Sequence, residues 1–104
     1  MDHLGDHYAS GNWVVIPGKE DEFVARWTEF LEWTRRDAPG LRWARLIQDA
    51  DDPRHFVSFA SWDTLESLLG WRSLPEFGSK MAACRALCEE MRGSNYAVVA
   101  LIEA

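Results

Sequence analysis

The spacing of apolar positions divides the chain into strands and helices in a definite order. Residues 12–16, NWVVI, form an apolar run stopped by Pro17 and Gly18, which predicts a strand and a turn. From 20 to 37 the period changes. Phe23, Trp27, Phe30, Leu31 and Thr34 share one face of a helix. Glu20, Asp21 and Glu22 fall in its first turn and Arg35 and Arg36 in its last, both favourable to the helix dipole. Ala38-Pro39-Gly40 ends it. Residues 41–48 and 54–62 read as two strands around the polar turn DADDP, an antiparallel hairpin. Asp63-Thr-Leu-Glu66 has capping-box form and opens a helix carrying Leu65, Leu68 and Leu69. Gly70 loosens that helix. Ser73-Leu-Pro-Glu76 is a second box, with Pro75 in the first turn, and the helix it opens is predicted to run to about Met91 along Phe77, Met81, Cys84, Cys88 and Met91. Gly93 stops it, and residues 95–103 read as the last strand.

The resulting order, β-α-β-β-α-β with the second helix broken, is the split βαβ pattern of a ferredoxin-like α+β domain. A single domain over residues 1–104 is expected, with residues 1–10 loosely held. Strand parity adds a further constraint. Phe56, Ser58, Ala60 and Trp62 point to one side of their strand; His55, Val57, Phe59 and Ser61 point to the other. The last strand also reads as apolar on both faces. Two helices cover one face of such a sheet, so the other needs an apolar partner. A second copy of the same sheet is the economical answer, which predicts a homodimer.

Composition narrows the partners. The chain holds six tryptophans and five phenylalanines in 104 residues, more large aromatics than its core requires, so some are expected to line a pocket or meet a partner chain. A net charge of −6 argues against nucleic acid and anionic membrane. The start of the chain has neither a basic nor an apolar run, and no stretch is long enough to span a bilayer, so a cytoplasmic protein is expected. Cys84 and Cys88, four apart on the predicted helix, read as buried reduced thiols. His3 and His7 flank Gly5 and read as exposed, His55 as rim or interface, and Arg42 and Arg45 as salt-bridge partners or anion contacts. Neither a metal-ligand set nor a nucleotide-binding glycine loop stands out, so no cofactor is expected.

The runs VVIPGKEDEF, APG and FVSFASWDTLESLLGWRSLPEF resemble the antibiotic biosynthesis monooxygenase (ABM) domains. That resemblance spans roughly residues 11–102 and implies a dimeric α+β barrel of ferredoxin-like subunits. It also brings two site patterns. In the anthrone-oxidising members an amide and a tryptophan stand on the third strand, a tyrosine on the next helix and an arginine further on. Here those positions fall on Ser58, Trp62, Leu68 and Met81 or Ala82, so the tryptophan alone is kept. In the haem-degrading members the corresponding Asn, Trp and His fall on Gly11, Trp71 and Met81; without the histidine, haem degradation is not expected.

Trp62 and Ser58 are therefore the candidate catalytic residues, and Trp71, Trp13, Leu68, Phe77 and Met81 the candidate substrate-binding ones. Each has a plain alternative. The aromatics can be packing, and a buried serine most often bonds the backbone. The resemblance implies a cofactor-independent monooxygenase acting on a small flat aromatic phenol, anthrone or quinol, whose own electrons reduce O₂. The alternative is a non-catalytic homodimeric module that binds an aromatic metabolite.

Overall fold

Strands β1 (His7–Val15), β2 (Leu41–Asp49), β3 (Asp52–Trp62) and β4 (Cys88–Ala97) form one antiparallel sheet in the order β2-β3-β1-β4. Helices α1 (Glu20–Asp37), α2 (Leu65–Arg72) and α3 (Phe77–Arg85) complete the ferredoxin-like pattern with its second helix split. The computed structural model describes residues 1–104. No helix is long and apolar enough to cross a membrane.

Parity along the strands decides what the helices cover. Ala9, Trp13 and Val15 of β1 and Phe56, Ser58, Ala60 and Trp62 of β3 are all buried on one face. Phe23, Phe30, Leu31, Trp33 and Thr34 of α1 are buried above them. Two aromatic groups anchor this layer. Phe23 packs on Trp13 at 5.2 Å and on Phe56 at 5.1 Å between ring centroids. Further along, Trp71 packs on Trp62 at 5.0 Å, on Phe30 at 5.7 Å and on Phe77 at 4.9 Å. The opposite face carries Tyr8, Val14, Val57 and Phe59, half-buried, with Ile47 and Tyr96 exposed at its sides.

Gly40 lets the chain turn from α1 into β2. Its φ of 101° lies in the left-handed region, and an added Cβ would collide with the side chains of Asp63 and Ser67. The cap of α2 sits one residue later than the box pattern predicts. Thr64, not Asp63, accepts from the Ser67 amide at 3.0 Å. Ser73 serves the end of α2, its Oγ donating to the Leu69 carbonyl at 2.9 Å, and α3 starts at Phe77 without a side-chain cap.

Larger differences lie at the two ends. Helix α3 stops at Arg85, so Cys88 and Met91 belong to β4 and not to the helical stripe. The strand runs from Cys88 to Ala97, earlier than the expected 95–103. Apolar spacing alone favoured the longer helix, but the free edge of β1 needs backbone partners, and residues 88–97 supply them from Val15 down to His7. Val99 and Ile102 then stand 87% and 93% exposed beyond the sheet.

The N-terminal residues are held more firmly than expected. Residues 7–10 are strand, paired with both β3 and β4. Before them, Asp6 pairs with Arg42, and Trp43 Nε1 donates to Asp2 Oδ1 at 3.1 Å. The His3 amide and, after it, the Arg42 guanidinium hold the Asp6 carboxyl below its ordinary value of 3.8, against the opposing pull of desolvation. A depressed carboxylate contributes stability that is present above the unfolded value and lost as pH falls through the folded one. Asp6→Asn is therefore expected to lower the thermal midpoint at about pH 6, and the two proteins should converge as acid titrates Asp6. Parallel melting curves at every pH would refute the latch.

Candidate functional site

Between the two aromatic groups the buried face of the sheet is lined by small residues. Ala9 lies opposite Ala60, and Gly11 lies opposite both Ser58 and Gly93. With so little side chain on the floor, the helices cannot close down on it. A cleft remains, about 420 Å³ with its open mouth included. Trp13 stands at one end and Trp71 with Arg72 at the other; Trp27, Phe30, Leu31 and Met81 form the roof. The hollow is narrow as it stands, so a flat guest must displace a side chain. Met81 and Met91 are unbranched and adaptable enough to move.

Two hydroxyls fix the indoles at the ends. Trp13 Nε1 donates to Ser58 Oγ at 3.0 Å. Trp71 Nε1 donates to Thr34 Oγ1 at 2.9 Å, and Thr34 passes its own proton to the Phe30 carbonyl at 2.9 Å. Ser58 differs from Thr34 in one respect. Its hydroxyl accepts from Trp13 and has no acceptor of its own, so its proton is free to point into the cleft. Gly11 makes this crossing possible. A Cβ there would meet Trp13 Nε1 at 2.6 Å and Ser58 Oγ at 2.9 Å, closer than real contacts allow.

Of the residues singled out from the sequence, Trp13, Ser58, Trp71 and Met81 line the cleft. Trp62, Leu68 and Phe77 do not. Trp62 is wholly buried behind Trp71, and its Nε1 has no partner. Leu68 is wholly buried, and Phe77 meets the edge of Trp71. Parity put Trp62 on the correct face, but at the far end of β3, beyond the small-residue floor. Arg72, Met91 and Gly93 line the cleft without having been singled out. Arg72 directly follows Trp71, and its charge was the available signal. Met91 and Gly93 were hidden by the misplaced end of α3.

The thiols are poor chemistry. Burial pushes Cys84 up to about 12 and Cys88 up to about 11. His55 sits on the opposite sheet face, with its ring nitrogens on Asp49 at 3.0 Å and Asn12 at 2.6 Å. No carboxylate or histidine lines the cleft.

Fold and site together define a ferredoxin-like α+β domain built around an aromatic-walled cleft between sheet and helices. The chain belongs to the antibiotic biosynthesis monooxygenase family, whose profile matches residues 8–83. Solved structures agree in fold. SnoaB from Streptomyces nogalater, described as a cofactor-independent oxygenase, is 19% identical, with a TM-score of 0.82 over 95% of this chain and 99% of that one. A conserved protein from Methanosarcina mazei Go1 is 17% identical, with a TM-score of 0.79 over 90% and 93% of the two chains. A candidate antibiotic biosynthesis monooxygenase from Chloroflexus aurantiacus J-10-fl is 23% identical, with a TM-score of 0.74 over 94% and 97%. No curated protein matches the sequence.

Gly11→Ala is expected to push the Trp13 indole off Ser58 and to destabilise the fold by about 1–3 kcal/mol, with a shift in tryptophan emission. Ser58→Ala, which strands the same N–H without crowding it, should cost a similar amount. Denaturant melts of both variants check this; wild-type midpoints for Gly11→Ala would mean that the crossing is not tight.

Proposed function

We propose that the protein is a cofactor-independent monooxygenase acting on a flat phenol, anthrone or quinol held in the cleft between Trp13 and Trp71. The observation that carries this reading is the small-residue floor with one free hydroxyl proton, set between indole walls. Family membership and the shared fold with SnoaB, an oxygenase by description, support it. Indoles offer broad apolar faces to a planar ring. A pocket of this kind excludes water and fixes orientation with few polar groups.

The electrons come from the substrate. An ionised anthrone passes one electron to O₂; the carbon radical and superoxide then join in a C–O bond. Protonation of the peroxide and loss of water leave a carbonyl, so one CH₂ group and one O₂ become one C=O and one H₂O. Ser58 Oγ–H is the group offered to the developing oxyanion. Trp62 acts one layer back as the support that positions Trp71, and Leu68 and Phe77 pack in that same layer. Since no base lines the cleft, the reaction suits substrates acidic enough to arrive ionised or to lose a proton to water.

The same lack of an acid–base group favours a second reading, a non-catalytic module that sequesters an aromatic metabolite. Oxygen consumption with an anthrone separates the two. The oxygenase predicts uptake above buffer by metal-stripped protein, a fall of about 10²-fold in kcat for Ser58→Ala, and loss of uptake when Met81→Trp fills the cleft. Ligand-induced quenching with no uptake assigns the module instead.

We also propose that the working form is a single-domain homodimer, with the sheet face of Val57, Phe59 and Tyr8 covered by a second copy. A half-buried apolar cluster of Tyr8, Val14, Val57 and Phe59 on that face supports this, while β4 presents Glu90, Arg92 and Ser94 there rather than the apolar positions expected of the last strand. Light scattering at micromolar concentration is expected to give twice the chain mass, and a charge placed at Val57 or Phe59 should halve it; a monomeric wild type would remove the claim.

A further inference from the structure

Arg72 closes the Trp71 end of the cleft and is the only charged residue lining it. Four arginines in the fold are half-buried: Arg26, Arg42, Arg54 and Arg72. Three of them face carboxylates, namely Arg26 with Glu29, Arg42 with Asp6 and Arg54 with Glu89. Arg72 has none. Its Nη2 donates to the neutral Asn95 Oδ1 at 2.8 Å, and its guanidinium lies over the rings of Trp71 at 5.7 Å and Phe77 at 6.0 Å. Its Nε is buried without any hydrogen-bond partner.

A guanidinium taken from water without a counter-ion is costly, and an unmet N–H beside it adds to that cost. Stacking on two rings offsets only part. Burial alone already lowers the arginine's pKa, with no neighbouring carboxylate acting against it. An anion would complete this half-buried guanidinium, and a planar ligand in the cleft that Arg72 lines would lie beside Trp71.

We propose that Arg72 is the anion-recognising group of this cleft and that the ligand is an aromatic ring system bearing an ionised oxygen, an enolate, phenolate or carboxylate. This rests on the reading of the cleft as the ligand site, and it adds to that reading the residue that meets the charge of the ionised ligand. The position differs from the one the family pattern gives its arginine. It is the last turn of α2, about ten residues before Met81 and Ala82, where the resemblance led one to expect an arginine. Asn95 holds the guanidinium from β4 through Nη2 and leaves Nε without a protein partner, so donors remain for the planar two-point geometry arginine offers an oxyanion.

The test compares 2-naphthoate with its neutral isostere 2-naphthamide by calorimetry, using wild-type protein, Arg72→Gln and Arg72→Lys at neutral pH. Wild type is expected to bind the acid at least about tenfold more tightly than the amide, with added salt eroding the difference. Arg72→Gln should bring the two within about twofold by weakening the acid more than the amide, a selective loss that a purely structural arginine would not give. Arg72→Lys should keep part of the preference. Equal binding of acid and amide by wild type overturns the anion site and leaves the cleft reading standing. A preference that survives Arg72→Gln also overturns it. Binding of neither compound overturns both. Should Arg72→Gln fail to fold, the wild-type ratio and its salt dependence decide alone.

Discussion

The crossing of Trp13 over Gly11 is the constraint on which the interior depends. The indole reaches across the neighbouring strand position to donate to Ser58 Oγ at 3.0 Å. It can do so because position 11 has no Cβ; one there would sit 2.6 Å from the same nitrogen. The ring is thereby laid along the sheet and packed on Phe23, at one end of the inner face. The pair of strands that makes this bond also makes the floor, since Ser58 and Gly11 are register partners. Stability and emptiness thus have one origin. A larger residue at either position would fill the cleft and loosen the tryptophan beside it.

The aromatics divide their work by distance from that floor. Trp62 and Phe23 are wholly buried, and neither lines the cleft. Trp13 packs on Phe23, Trp71 packs on Trp62, and both border the hollow. Each has its N–H committed to a hydroxyl, so neither ring is free to turn. Trp27, with partial exposure, covers the roof without such a tie. The ends of the cleft are rigid and its roof adaptable, an arrangement that under the proposed function would fix the long axis of a flat guest.

Much of this was legible in the chain itself. Period-2 and period-3.6 patterns identified β1, α1, β2 and β3 and put Ser58 and Trp62 on the helix-covered face. Local patterns could not show which of two equally placed aromatics would border empty space. That depends on the small residues opposite them, and Ala9, Gly11 and Gly93 come together only through cross-strand pairing. The same limit moved the end of α3. Met81, Cys84, Cys88 and Met91 keep helical spacing, yet the unpaired edge of β1 outweighs it and takes Cys88 and Met91 into a strand. Arg72 escaped notice for a different reason. An arginine in a last helical turn is ordinarily a dipole partner, and its lack of a carboxylate is a property of three-dimensional neighbours.

The split of the second helix gives the site its far wall. On a continuous helix Trp71 and Phe77, six residues apart, would point about 120° away from each other. The break after Arg72 brings their rings to 4.9 Å at 88° instead, with Phe30 against both. The turn between them, closed by Ser73 on the carbonyl of Leu69, ends α2 with Trp71 and Arg72 side by side at the cleft. Helix α3 then starts on a new axis and carries Met81 over the roof. A straight helix would set either the wall or the roof against the sheet, but not both. The broken second helix is therefore the means by which one short segment supplies an aromatic surface, a charge and a movable cover to the same cavity.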